Sequence, residues 1–190
     1  MAKKNSHYID NERFFDEMCK WKKEYDENKE KGLDPPRLTE YIGQCFLDIA
    51  TNLARKENFM NYPYKEEMIS DGVENCVMYC YNFNPEKSKN PFSYFTQIIY
   101  FAFLRRIDKE KKQTYTKYEL IMNSDVSGDY RNFLSATYNK KNTEELITEE
   151  EVLEKHLDIT PNDIDKYSKK TKKTDKKQSI TGSTLDGFLS

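Results

Sequence analysis

Between Tyr94 and Leu104 the chain sets Tyr94, Phe95, Ile98, Ile99, Tyr100, Phe101, Phe103 and Leu104 in one short stretch, and Arg105, Arg106, Lys109, Lys111 and Lys112 follow at once. The work such residues can do is physical rather than bond-making. A flat ring gives an unpaired nucleobase a surface worth roughly 1–3 kcal/mol per base, and lysine or arginine holds phosphates without reading sequence. That is comparable to what a base loses on leaving the stack, so a few rings tip the balance once it has flipped. The large apolar groups are too many for one buried stripe. Phe95, Ile99, Ala102 and Phe103 are expected to enter a core, while Tyr94, Gln97, Ile98 and Phe101 line a second face. Periodicity alone favours a plainer reading, a fully buried central helix with a solvated basic end.

Several elements must position that stretch. Phe14, Phe15, Met18, Trp21 and Tyr25 recur at three- and four-residue steps and predict a first helix over about Asn11 to Tyr25. Gly32 and Pro35-Pro36 end it, because proline cannot continue a helix. Thr39 is a fitting N-cap for a second helix carrying Ile42, Phe46, Ile49, Ala50 and Leu53. Pro63 opens a third, with Met68, Ile69, Val73, Val77 and Cys80 as its apolar face. Asn82 to Lys89 forms a break. Asn90-Pro91 pairs a cap with a first-turn proline and starts a fourth helix expected to reach about Lys112. Tyr115 to Met122 reads as a short helix and Asn123 to Asp129 as loop. Thr143 to Leu157 reads as a small acidic helix with Leu146, Val152 and Leu153 as packing residues. Lys166 to Lys177 has almost nothing to bury and predicts a flexible linker. Apolar residues return at Leu185, Phe188 and Leu189.

Composition narrows the classes. In 190 residues the apolar fraction is 36% and the charged fraction 34%, which predicts a modest core with tails. With 6 Gly and 6 Pro the chain suits a helical protein, and 14 Tyr with 11 Phe exceed what a small core needs. Net charge is -2, so nucleic-acid contacts would depend on clustered cations. Cys19, Cys45, Cys76 and Cys80 lie in apolar helical pattern without disulfide spacing. Cys76 and Cys80 are one turn apart, but a metal needs two more ligands, so reduced packing cysteines and no metal or other cofactor are expected. The start MAKKNSHYIDNERFF lacks a signal-peptide pattern and no window is apolar enough to span a bilayer, which predicts a cytosolic protein without membrane contact. Acidic residues occur as charged helix faces, without a carboxylate–histidine grouping or a phosphate-binding glycine loop, so an enzyme is not expected.

The segment from Glu66 to Lys112 resembles region 2 of bacterial sigma factors without gaps. The resemblance implies an all-α, compact helical domain of that type followed by a partly disordered C-terminal tail. In those proteins the helix before the turn binds the clamp helices of the largest polymerase subunit, and the matching positions are Glu67, Ser70, Asp71 and Glu74, with Asp71-Gly72 standing for the family's acidic-Gly pair. An aromatic near that helix's end is matched by Phe83, and the aromatic–x–Thr motif by Tyr94-Phe95-Thr96. The resemblance gives Phe83 and Tyr94 the cradling of the flipped adenine of a -10 element. The DNA-binding set it implies is Phe83, Lys87, Tyr94, Gln97, Ile98, Phe101, Arg105, Arg106, Lys109 and Lys112. Gln97 and Ile98 replace the two tryptophans that usually follow the Thr, and Phe101 replaces a base-reading glutamine, so melting is expected to be weaker or differently supported.

No helix-turn-helix pattern for an upstream -35 element follows. Late-transcription sigma factors of T4-type bacteriophages are similar in this, and share the run Asn90 to Gln97 and Arg106-Ile107. Their C-terminal peptide binds the DNA sliding clamp. Here Leu185, Asp186, Phe188 and Leu189 match it, with an extra Gly187. The layout implied is a region 2-like domain over 1–122, a poorly defined, partly helical extension over 123–160, a flexible basic linker over 161–182 and a clamp-binding peptide over 183–190. The partners implied are host core RNA polymerase, promoter DNA, the phage sliding clamp and a late-transcription coactivator, all in the cytoplasm of the infected bacterial host. An adaptor that joins polymerase to clamp without touching bases is the alternative.

Overall fold

A computed structural model describes residues 8–123, 128–130, 132, 133, 136, 137 and 148–169. The protein is all-α, with no strand among the described residues. Helices α1 (Asn11–Glu30), α2 (Glu40–Ala54), α3 (Lys65–Tyr79), α4 (Pro91–Asn123) and α5 (Glu149–Leu157) follow in order, and a helix α6 covers 161–169. A 3₁₀ turn, Cys80–Asn82, closes α3.

Caps set most of the helix starts. The Asp10 carboxylate accepts from the backbone N–H groups of Glu12 and Arg13 at 3.1 and 3.2 Å, and Thr39 Oγ1 from that of Ile42 at 3.3 Å. Asn90 Oδ1 accepts from the Ser93 N–H at 3.0 Å, so the Asn-Pro start of α4 forms as predicted. Thr148 and Glu151 form a reciprocal capping box on α5. At the other end of α1, which runs past Tyr25 to Glu30, Gly32 takes a φ of 67°, a left-handed position glycine adopts at no steric cost. The Trp21 indole then donates to the Pro36 carbonyl at 3.2 Å and fastens the Pro-Pro loop to the helix.

The chain divides into two compact units, Met1–Ile107 and Asp108–Ser190. The division falls inside α4, whereas the sequence carries the first domain to residue 122. The first unit closes on an aromatic core. Phe46 and Phe95 lie 4.5 Å apart, Phe14 sits 5.7 Å from Phe95, and Phe59 meets Phe103 edge-on at 5.2 Å. The expected residues of α1 and α2 supply the rest: Phe14, Met18, Trp21, Ile42, Phe46, Ile49, Ala50 and Leu53 are buried.

Four expectations need correction. Asn123, Gly128 and Asp129, the described residues of the expected loop, are helical. Of the expected face of α3, Met68 and Cys80 are buried and Ile69 and Val73 pack half-buried against the core. Val77 is exposed, and Gly72 and Cys76 complete the buried stripe. The larger β-branched residues stand one position over because small side chains are needed where α4 comes close. Next, α4 does not stop near Lys112. Nothing from Gln113 to Asn123 breaks a helix, and Tyr115 and Tyr118 bury themselves in a second core. Finally, 161–169 is helix rather than linker, and Tyr167 is 1% exposed against Tyr115, 6.0 Å away.

In the second unit Leu153, Ile159 and Tyr167 join Tyr115 and Tyr118, and ionic bonds close the edge. Lys111 Nζ donates to both Asp163 oxygens at 3.0 Å, and Lys166 Nζ and the Tyr167 hydroxyl donate to Asp108 Oδ1 at 2.7 and 2.9 Å. Burial pushes the Asp163 carboxyl up, but the bonds from Thr160 and Lys111 outweigh it and hold it below its ordinary value.

Candidate functional site

The seam between α3 and α4 in the first unit sets the geometry of the predicted site. A Cβ on Gly72 would lie 2.9 Å from Ile99 Cγ2 and 3.1 Å from Phe103 Cε1, so only glycine allows this approach. Arg106 grips Asp71 through Nε–Oδ2 at 2.6 Å and Nη2–Oδ1 at 2.7 Å, a bidentate pair, and Arg105 donates to Asn75 Oδ1 at 2.7 Å. Together these contacts fix the rotation of each helix about its axis. The choice of outward residues follows.

On α3, Glu67, Ser70 and Glu74 are exposed at steps that put them on one face. The same helix then turns apolar, with Val77, Met78 and Tyr79 exposed and Tyr81 just beyond. Asp71 was expected to serve the same docking face. It is instead half-buried and committed to Arg106, so its charge is spent inside the molecule. Arg106, expected on DNA, is neutralised by the same bond, and Lys111 by Asp163.

On α4 the inner stripe Phe95, Ile99, Ala102 and Phe103 is buried as predicted. The outer residues Tyr94, Ile98, Phe101 and Arg105 recur at helical steps and form one line. Tyr94 and Ile98 are half-buried, Phe101 is 55% exposed, and Arg105 and Gln97 are exposed. Burial, with smaller contributions from Cys76, Cys80 and Tyr81, pushes the Tyr94 phenol up, so at neutral pH it is a neutral hydrogen-bond donor beside its ring face. Lys87 is exposed in a turn that the Asn84 side chain fixes by accepting from Glu86 N at 2.8 Å. Lys109 and Lys112 are exposed on the part of α4 belonging to the second unit.

Phe83 requires a correction. Its exposure is 0%, with Phe95 at 5.9 Å, Phe15 at 6.5 Å and Tyr94 edge-on at 5.3 Å. A ring without accessible surface offers no face to a base. It packs behind Tyr94 and sets its orientation. Sequence reasoning also passed over Tyr81, exposed two residues earlier, whose inner side stacks on Tyr25 at 6.0 Å. Its position one residue outside the core register of α3 was the available signal.

The four cysteines are free thiols, with Cys45, Cys76 and Cys80 buried. Burial raises Cys80 to about 11 and Cys76 further, which keeps both protonated and apolar in character. No group of three or more His, Cys, Asp or Glu is placed to hold a metal ion among the described residues, and none of their helices is long and apolar enough to cross a membrane. Leu185, Asp186, Phe188 and Leu189 lie outside the described residues. No protein-family model matches the chain, and a search of curated proteins finds no match.

Proposed function

We propose that this chain is a promoter-specificity factor similar to the late sigma factors of T4-type phages. In this reading the exposed acidic face of α3 (Glu67, Ser70 and Glu74) docks on the clamp helices of core RNA polymerase, and the outer line of α4 holds bases of the non-template strand of an A/T-rich -10 element. The C-terminal peptide around Leu185, Asp186, Phe188 and Leu189 tethers the complex to the DNA sliding clamp, where its attachment raises effective concentration without new contacts to the promoter. A late coactivator completes the assembly in the host cytoplasm.

The observation that carries the reading is the line Tyr94, Ile98, Phe101 and Arg105, two rings and an aliphatic group on an outward face with a cation at the end. A helix folding only to fill a core gains nothing from leaving Phe101 in water, whereas a base-holding surface needs that ring open. Asp71 drops out of the docking set and acts through Arg106 instead, as a brace. Phe83 drops out of the cradle and becomes the support behind Tyr94.

The adaptor reading draws on the same corrections. With Phe83 buried and Arg106 and Lys111 neutralised, fewer groups remain for DNA than the sequence suggested. Replacing Tyr94 with alanine separates the two. The sigma reading expects promoter opening to fall about fivefold or more, with polymerase binding nearly unchanged. Unchanged opening on an A/T-rich promoter would favour the adaptor.

A further inference from the structure

Trp21, Tyr25 and Tyr81 form a pile of rings outside the line on α4. Trp21 stacks on Tyr25 at 5.3 Å with 29° between planes, and Tyr25 on Tyr81 at 6.0 Å and 16°. Exposure rises outward along the pile. Trp21 is 5% exposed and Tyr81 41%. Lys22 locks the assembly, its ammonium 4.9 Å from the Tyr25 ring centre while donating to the Tyr81 carbonyl at 3.0 Å and to Asp26 at 2.8 Å. The outermost ring is therefore held in place from behind, and a planar ligand would bind it with little further loss of side-chain entropy.

Two further observations say what kind of ligand fits. Tyr81 is two residues from Phe83, which meets Tyr94 at 5.3 Å, and the Tyr81 phenol is close enough to contribute to the upward shift of Tyr94. The turn that follows carries exposed Lys87 and Lys89. An exposed ring two residues from the support of Tyr94, with lysines on the neighbouring turn, matches the alternation of base and phosphate in a single strand.

We propose that Tyr81 is a second stacking platform for an unpaired nucleobase, beside Tyr94, supplying the open ring that the buried Phe83 cannot. The inference rests on the base-holding reading of α4. Tyr81 holds the ligand by its ring face alone, so phenylalanine should replace it and alanine should not.

The test uses the full chain and a short single-stranded A/T oligonucleotide carrying 2-aminopurine, titrated at low salt by fluorescence quenching. The wild type is expected to bind the single strand in preference to its duplex. Tyr81→Ala should weaken that binding by about fivefold or more, and Tyr81→Phe by less than about twofold. If Tyr94→Ala weakens binding while Tyr81→Ala stays within about twofold of wild type, the platform is wrong and the reading of α4 stands. Failure of the wild type to prefer the single strand overturns the platform, and the reading of α4 then rests on transcription with polymerase. Loss on Tyr81→Ala that phenylalanine does not restore would also overturn stacking as the role.

Discussion

The two units of this protein close their cores in different ways. In the first, Phe14, Phe46, Phe83, Phe95 and Phe103 are fully buried, and the bidentate ion pair of Asp71 with Arg106 braces the outside of a seam. In the second, the core is a few residues around Tyr115, Tyr118 and Tyr167, and carboxylates at Asp108 and Asp163 bind lysines and hydroxyls around it. Tyrosine accounts for part of this, because a buried phenol needs a hydrogen-bond partner where phenylalanine does not, and Asp108 serves Tyr167 while Glu119 serves Tyr115. The comparison teaches that the first unit is stabilised mainly by aromatic packing, whereas the second also draws on the ionised carboxylate of Asp163. It also explains how the first unit can keep Phe101, Met78 and Tyr81 open, since a complete aromatic core exists without them.

The largest effect should come from removing a ring that the sequence had assigned to DNA. Phe83→Ala is expected to cost about 3–5 kcal/mol of first-unit stability, measured by urea denaturation. A loss under about 1 kcal/mol would return Phe83 to the surface. Next, Gly72→Val forces a side chain against Ile99 and Phe103 and should cost about 1–3 kcal/mol, read in the same way. A neutral outcome would mean that the α3–α4 approach is looser than described.

In the second unit, Asp163→Asn should cost about 1–3 kcal/mol, because the charged partner of Lys111 and Thr160 is lost in a mostly buried setting. The sign of the pH effect follows from its lowered value in the folded state. The charged Asp163 stabilises the fold above its ordinary value of 3.8, and that contribution is lost as pH falls through the lower folded value. An acid titration following the Tyr167 ring by NMR should therefore show a transition below about pH 4 in the wild type that the asparagine variant lacks. The smallest effect belongs to Asp165→Ala, which removes an i,i+4 pair with Lys169 whose partners are 65% and 69% exposed. About 0–0.5 kcal/mol is expected, and a cost equal to that of Asp163→Asn would erase the distinction between inner and outer carboxylates of α6.

Much of the first unit was legible because its helices have strong punctuation. Thr39, Asn90-Pro91 and the Pro35-Pro36 loop set starts and stops, and the stripes of α1 and α2 kept clean helical spacing. Reading α3 by hydrophobicity found Met68 and Cys80 but missed the two positions between them, since Gly72 and Cys76 score as weak core residues although close helix approach requires them. The Asp71–Arg106 bond was hidden for another reason. Its partners are far apart in sequence, and each looked like a ligand for something outside. The second unit was hardest to foresee. Tyr167 is an isolated ring among lysines, and nothing local announces the tyrosines of α4 that it meets.

The central claim is that the open rings of α4 act on promoter DNA once α3 has docked the chain on polymerase. It is tested most directly by abortive transcription with purified core RNA polymerase and this protein, comparing an A/T-rich -10 promoter with a scrambled one. Short RNA from the A/T-rich template alone is the expected result. Polymerase binding without template-specific RNA, even on pre-melted DNA, would contradict it and leave an adaptor.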